Sequence, residues 1–234
     1  MDYFYCPPEK IVHGTVNIEG EEFAHLTHVM RKKVGDEIRV VDGKGTAFDV
    51  RLESINMKIA AGTILATHSN HNEPHVSLTI GVGILKNPSK FDFLVEKITE
   101  LGVKEIIPLR TERTIPSHAK IDRWQKLALA AMKQSGRSFL PCVREMIFLD
   151  ELINEANPYN LKLIAHEKVE DSSKLKDLIS SKTASAIALI GPEGGFTDDE
   201  VEACIHSGFK PICFGSRRLR TETAAIVAAS MILI

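Results

Sequence analysis

Ala184-Ser-Ala-Ile-Ala-Leu-Ile190 runs directly into Gly191-Pro-Glu-Gly-Gly-Phe-Thr-Asp-Asp-Glu200. The first seven residues are an apolar run of strand length, and Thr197 to Glu200 is the Thr-x-x-Glu pattern that caps a helix N-terminus. Between them three glycines and a proline surround one carboxylate, Glu193. Strand, backbone-rich turn and helix in succession are the unit from which parallel sheets are built. The plain reading of the loop is a tight turn with Glu193 solvated; the other is a surface where glycine lets backbone approach a ligand closely. It is no dinucleotide fingerprint, because no G-x-G-x-x-G follows a predicted strand, and it lacks the G-K-[ST] of a phosphate loop.

The same alternation extends on both sides. Val76 to Leu85 reads as a buried strand, and Phe91, Leu94, Ile98 and Leu101 recur at helical spacing before Gly102 stops the helix. Val103 to Ile107 is the next strand. Ile121, Trp124, Leu127, Ala128 and Ala131 line a helix that ends at Ser135-Gly136; after a loop come the strands Leu161 to Ala165 and Ala184 to Ile190. Beyond the capping box, a helix to Ser207-Gly208 leads to the strand Pro211 to Phe214 and a last helix from about Thr221. This pattern predicts an α/β domain with a mainly parallel sheet flanked by helices over residues 75–234. Residues 1–70 differ: short strands at 36–41, 47–52 and 57–66, an Asp42-Gly43 hairpin signal and one short helix at 21–30 predict a small β-barrel. Ser69 to Pro74 has no apolar residue to bury and reads as a linker.

Composition bounds the partners. The chain has 234 residues, 44% hydrophobic and 26% charged, with 29 basic against 31 acidic side chains and a net charge of −2. That is globular, not disordered, and lacks the basic excess by which nucleic-acid binders usually announce themselves. Neither part hides one, since residues 1–70 hold 8 basic and 10 acidic side chains. Four cysteines without a C-x-x-C pair fit free thiols in a reducing cytosol. No run approaches the roughly 18 apolar residues of a membrane span, and no targeting segment opens the chain. A cytoplasmic protein with no membrane and no metal partner is expected; the nine histidines form no mixed cluster with cysteine and carboxylate at ligand spacing.

In parallel sheets ligands sit beyond the carboxyl ends of the strands. The loop after Ile190 is one such place, and Phe214-Gly-Ser-Arg-Arg-Leu-Arg-Thr-Glu-Thr223 is the other, with Arg217, Arg218 and Arg220 beside Glu222. Here the plain reading is a threonine cap and solvated arginines. Arg31-Lys-Lys33 is a short basic step able to touch phosphate, although such runs are more often a solvated face. Gln134-Ser-Gly-Arg137 is a helix C-cap or a pair suited to a polar ligand.

Gly191 to Glu200 together with Leu219-Arg-Thr-Glu-Thr-Ala224 resembles the RsmE-type methyltransferases of the SPOUT class. His28-Val-Met-Arg-Lys-Lys-Val-Gly-Asp36, Asp42-Gly43, Lys97-Ile-Thr-Glu-Leu-Gly-Val103, Pro108, Glu112-Arg113 and Gln134 to Arg137 follow in family order. Arg218 stands where the family usually has an aliphatic residue and Phe214 where it has leucine. The resemblance implies a PUA-like RNA-binding barrel over 1–70 and a SPOUT domain over 75–234 with a C-terminal trefoil knot. It also implies a homodimer that methylates N3 of a uridine in 16S ribosomal RNA, naked or in the assembled small subunit, using S-adenosylmethionine. By position it assigns the cofactor to Leu189, Ile190, Gly191, Glu193, Gly194, Gly195, Phe214, Gly215, Leu219, Arg220, Thr221 and Thr223. Arg220 and Glu222 are then the catalytic candidates, and Arg31, Lys32, Lys33, Arg113 and Arg137 the RNA-binding ones. The competing reading is a non-catalytic RNA-binding or ribosome-assembly protein; an enzyme for another nucleotide is disfavoured by the missing motifs.

Overall fold

The computed structural model describes residues 2–166, 175–180 and 182–234. They divide into two compact units, Met1–Glu73 with Leu129–Leu140, and Pro74–Ala128 with Pro141–Ile234.

The first unit is a six-stranded sheet around its own core. Its strands are β1 (Tyr3–Tyr5), β2 (Ile11–Val12), β3 (Thr15–Glu19), β4 (Glu37–Val41), β5 (Thr46–Ile55) and β6 (Ile59–Ser69), in the order β1-β4-β5-β6-β3-β2. All pairs are antiparallel except β1 with β4. Alternation along the strands puts Val16, Ile18, Ile38, Val40, Val50 and Leu52 inside with Phe4 and Leu26. The predicted hairpin forms at Asp42, whose Oδ1 accepts the N–H groups of Lys44 and Thr46 at 2.7 and 2.9 Å. Gly43 adopts φ 71°, a left-handed backbone that favours glycine. The expected helix over 21–30 forms over 20–29, as α1 (Gly20–Ala24) continued by a π-helical turn over His25–Val29.

The boundary between the two units falls within the expected linker 69–74, between Glu73 and Pro74, and part of that segment is anchored. Ser69 still belongs to β6, and the carboxylate of Glu73 is buried, bound to the Arg137 guanidinium at 2.7 Å and to the N–H groups of Ser138 and Phe139 at 2.9 and 2.8 Å. The segment is fixed by a buried charge rather than by apolar residues, an anchor that a hydrophobicity criterion does not register. Both side chains of this pair are only 2% exposed.

The second unit is a parallel sheet. Its strands are β7 (Ser77–Gly83), β8 (Glu105–Arg110), β9 (Cys142–Val143), β10 (Ile147–Phe148), β11 (Leu161–Ala165), β12 (Ser185–Ile190) and β13 (Lys210–Ile212). The order is β10-β8-β7-β12-β11-β13, with β9 also on β8, and every pairing is parallel. The helices are α2 (Pro88–Leu101), α3 (Ile121–Gln134, which leaves this unit after Ala128), α4 (Leu149–Glu155), α5 (Leu175–Leu178), α6 (Asp198–His206) and α7 (Thr221–Leu233). Leu152 and Ile153 of α4 and Val201 and Cys204 of α6 share a core with Ile187 and Leu189 of β12. The two-residue period turns Ala186 and Ala188 to the other face. Small residues there match the alanines of α7, of which Ala224, Ala225, Ala228 and Ala229 are buried. At the start of α2, Asn87 Oδ1 accepts the Ser89 N–H at 3.0 Å; at its end Gly102 turns at φ 114°.

The strand at 103–107 begins later, at Glu105, and β13 stops at Ile212, short of Phe214. The short helix α4 lies in what sequence alone suggests is a loop. Among the described residues no helix is long and apolar enough to cross a membrane.

Removing one partner of a buried ion pair strands the other charge, at a cost of roughly 3–5 kcal/mol. Glu73→Ala is therefore expected to lower the urea midpoint of unfolding by an amount corresponding to that loss, read by circular dichroism.

Candidate functional site

In the second unit a cavity of about 460 Å³ opens at the carboxyl ends of the strands. The end of β12 and the turn after it supply Ile190 to Phe196, the exit of β11 supplies Ala165 and His166, and the exit of β13 supplies Ile212 to Gly215. Arg217 to Glu222 lead into α7; Lys90 comes from the first turn of α2 and Arg113 from the loop after β8. Five different strand exits thus converge, as the edge rule for parallel sheets requires.

The turn after β12 is shaped by missing side chains. A Cβ on Gly83 would lie 2.5 Å from Pro192, and one on Gly191 would lie 2.9 Å from the Gly195 backbone. The Gly195 N–H donates to the Pro192 carbonyl at 2.8 Å while Gly195 takes φ 69°. Arg113 clamps the outside of this turn, its Nη1 donating to the carbonyls of Gly194 at 2.7 Å and Phe196 at 3.1 Å. Phe196 is buried and pins the far end. Glu193 is exposed but not merely solvated: its Oε1 accepts the Lys86 N–H at 3.0 Å. The predicted capping box is present, with both the Thr197 and Glu200 bonds made.

The second loop is tied to the first. The Thr221 hydroxyl donates to the Gly191 carbonyl at 2.9 Å and is buried there. The cap position of α7 is held by Arg220, without a side-chain cap bond, so the plain reading of a threonine cap is replaced by a link between loops. Glu222, 8% exposed, faces Lys90, whose Nζ is 3.6 Å from its Oε1. A helix N-terminus is a favourable place for a carboxylate. Arg217 and Arg220 are exposed and form no ion pair among the described residues, which leaves cationic groups at the rim.

Of the residues singled out from sequence, Ile190, Gly191, Glu193, Gly194, Gly195, Phe214, Gly215, Leu219, Arg220, Thr221 and Glu222 line this cavity. Leu189 does not: it packs into the core beneath. Thr223 is exposed and outside the lining. Two residues expected to meet RNA are otherwise engaged. Arg137 is buried against Glu73, and Arg113 is the clamp just described. Arg31 and Lys33 are exposed, whereas Lys32 pairs with Asp2 at 2.9 Å. Sequence reading missed Lys90 and Lys86; applying the strand-edge rule to the loop after β7 would have found both.

A parallel sheet whose edge loops build a cavity of small-molecule size is a ligand-binding architecture, and comparison with known proteins identifies the class as RNA methyltransferase. The family model described as an RNA methyltransferase domain matches residues 71–233, and that of an RNA methyltransferase PUA domain matches 18–65. Ribosomal RNA small subunit methyltransferase E of Synechocystis is 34% identical over 96% of this chain and 75% of its own, and that of Bacillus subtilis 31% identical over 93% and 89%. The crystal structure of the Neisseria gonorrhoeae enzyme of that name, bound to S-adenosyl methionine, superposes with a TM-score of 0.88 at 33% identity, covering 99% of this chain and 96% of that one. The chain belongs to the ribosomal RNA small subunit methyltransferase E family.

Overpacking a tight contact costs about 1–3 kcal/mol. Gly83→Ala, which pushes a methyl group into Pro192, is expected to lower the melting temperature accordingly in a thermal scan, while Glu193→Gln, exposed and able to keep its bond to Lys86, stays near the parent.

Proposed function

We propose that this protein transfers the methyl group of S-adenosylmethionine to N3 of a uridine in 16S ribosomal RNA. The observation that carries the reading is the cavity itself. Its volume lies within the roughly 300–1,000 Å³ of small-molecule sites, its wall includes the backbone of Gly191, Gly194, Gly195 and Gly215, and Arg217 and Arg220, which form no ion pair among the described residues, stand at its rim. The residues present suit a cofactor with a polar adenosyl head and a cationic centre. Ile190 to Gly195, Phe214-Gly215 and Leu219 to Thr221 would hold it, with Glu193 and Glu222 as the nearby negative charges. Bound there, the cofactor supplies a methyl group on a sulfonium, which needs no acid to leave.

What the chain must supply is the nucleophile. Uracil N3 carries a proton that has to depart before its electron pair is available, and negative charge then spreads onto O2 and O4. Arg220 stabilises that charge as a guanidinium donor in a preorganised site. Glu222 either accepts the N3 proton or holds Arg220 in place; Lys90, at 3.6 Å, fixes the carboxylate. RNA is gripped by few phosphate contacts, with Arg31, Lys32 and Lys33 as the remaining candidates from that set. We take residues 1–70 as the PUA-like domain and 75–234 as the SPOUT domain, with the C-terminal segment threaded as a trefoil knot and two copies forming a homodimer in the cytoplasm. A non-catalytic RNA-binding or assembly role leaves the cavity and its paired Glu222 without a purpose.

The direct test is mass spectrometry of 16S ribosomal RNA from a deletion strain with and without the gene restored. One N3-methyluridine is expected to vanish and return. Arg220→Ala keeps its backbone in the cofactor loop, so it should bind S-adenosylmethionine by calorimetry while its kcat falls roughly a hundred- to a thousandfold. Thiol labelling gives a readout independent of activity. Burial pushes the Cys6 and Cys204 thiols up to about 11 and about 12, so neither should react with iodoacetamide in the native state. Cys142 is exposed and Cys213 lines the cavity; bound S-adenosylmethionine should protect Cys213 and leave Cys142 reactive.

A further inference from the structure

Glu200 does more than cap its own helix. Its Oε2 completes the capping box of α6 by accepting the Thr197 N–H at 2.8 Å, which leaves the other carboxylate oxygen for a second bond. That oxygen, Oε1, accepts the N–H of Glu112 at 2.8 Å, in the loop after β8 and 88 residues away in the sequence. The loop is itself a closed turn: the Thr114 N–H donates to the Thr111 carbonyl at 3.1 Å, and the Thr111 N–H donates to the Thr114 hydroxyl at 3.0 Å, with Thr111 buried. Arg113 follows Glu112, and its Nη1 returns to the carbonyls of Gly194 and Phe196. The bonds form a ring. Glu200 holds the loop after β8, that loop carries Arg113, and Arg113 holds the turn from which α6 starts.

The turn has little to hold itself. Residues 191–196 contain three glycines, and Gly195 takes the left-handed φ of 69°. Glycine loses more conformational freedom on being fixed than any other residue. Gly194 has no side chain with which to pack, and the space beside it is filled by the stem of Arg113, whose Cβ and Cδ would each lie 3.2 Å from a Cβ placed there. Nη1 carries two hydrogens, and the two carbonyls account for both. A planar guanidinium bonded to both carbonyls sets the direction of the peptide groups 194–195 and 196–197, on the wall of the cavity that Gly194, Gly195 and Phe196 line.

We propose that Arg113 and Glu200 are positioning residues for the cofactor, acting together to fix the glycine turn before S-adenosylmethionine arrives, so that binding does not have to order it. The proposal rests on the reading that this cavity holds the cofactor and on nothing about which base is methylated. It also gives Arg113 a task other than contact with RNA.

The test is calorimetry of S-adenosylmethionine with the full chain and its variants. Arg113→Met keeps the stem beside Gly194 and removes the donors; Arg113 is exposed, so the variant stays folded. Glu200→Gln keeps one acceptor oxygen and turns the other into an amide donor, so it no longer serves both N–H groups. Each is expected to weaken cofactor binding roughly tenfold, the scale of one hydrogen bond to a charged group. The double variant should be no weaker than the worse single one, because both act through one turn. Thr197→Ala is the control: it breaks the other half of the capping box, the hydroxyl bond to the Glu200 N–H at 3.2 Å, without touching Glu112. It should melt earlier, as a helix that has lost a cap does, and bind the cofactor like the parent. In steady-state assays with small subunits, Arg113→Met should raise the KM for S-adenosylmethionine and leave kcat at saturating cofactor and the KM for RNA near the parent. The proposal is overturned if Arg113→Met binds the cofactor like the parent, or if it raises the KM for RNA instead. It is equally overturned if Thr197→Ala loses as much affinity as Glu200→Gln, since Glu200 is then only a cap. A parent that binds no S-adenosylmethionine overturns both this proposal and the reading beneath it; one that binds it without methylating uridine N3 overturns only the proposed reaction.

Discussion

The contact between Gly83 and Pro192 governs the second unit. A Cβ on Gly83 would meet Pro192 at 2.5 Å, so the turn after β12 packs directly against the end of β7. Everything at the cavity is referred to that turn: Arg113 clamps its carbonyls, Lys86 binds its carboxylate, and Thr221 hangs α7 from Gly191. Neighbouring central strands β7 and β12 are paired in register from Ser77 with Ser185 to Val82 with Ile190, so the geometry of the turn is inherited from the stiffest part of the sheet. A site set on rigid elements holds reacting groups to the fraction of an ångström that alignment requires.

Charge is distributed rather than accumulated. The whole chain is slightly acidic, yet the cavity collects Lys90, Arg113, Arg217, Arg218 and Arg220 against Glu193 and Glu222. Local excess of this kind raises the concentration of an anionic partner at one mouth without making the entire surface adhesive. An enzyme that must let go of its RNA after each turnover gains from that economy, since every neutralised phosphate tightens binding to any sequence alike.

Much of this was legible in the residues, and the failures have a common cause. Periodicity located α2 and α3, each of which buries one apolar stripe, while the capping box located α6 and unbroken apolar runs located the central strands. Periodicity did not reach β1 and β2, of three and two residues, which are too short to show a period, and it passed over β3, where Val16 and Ile18 do alternate; nor could it show that Glu73 buries a charge. The loops were flagged by composition, yet the roles of Arg113 and Arg137 were not, because each guanidinium binds a partner far away in the sequence, Gly194 for Arg113 and Glu73 for Arg137. Charge type is local information, whereas what a charge is paired with depends on the fold.

The start of α7 shows how the site departs from what stability alone would select. Serine, threonine, aspartate or asparagine at a cap position contributes about 1 kcal/mol over a residue that cannot cap. Arg220 occupies that position with no cap bond, and the threonine beside it directs its hydroxyl to Gly191 instead of to its own helix. The helix gives up a local bond; in exchange its first turn is fastened to the glycine loop, and the guanidinium at its tip remains unpaired. A sequence selected only to end a loop and begin a helix would place the threonine one residue earlier. That Arg220 stands there, between two cavity-lining loops and two residues before the buried Glu222, is what supports the proposal that the chemistry sits at this helix end.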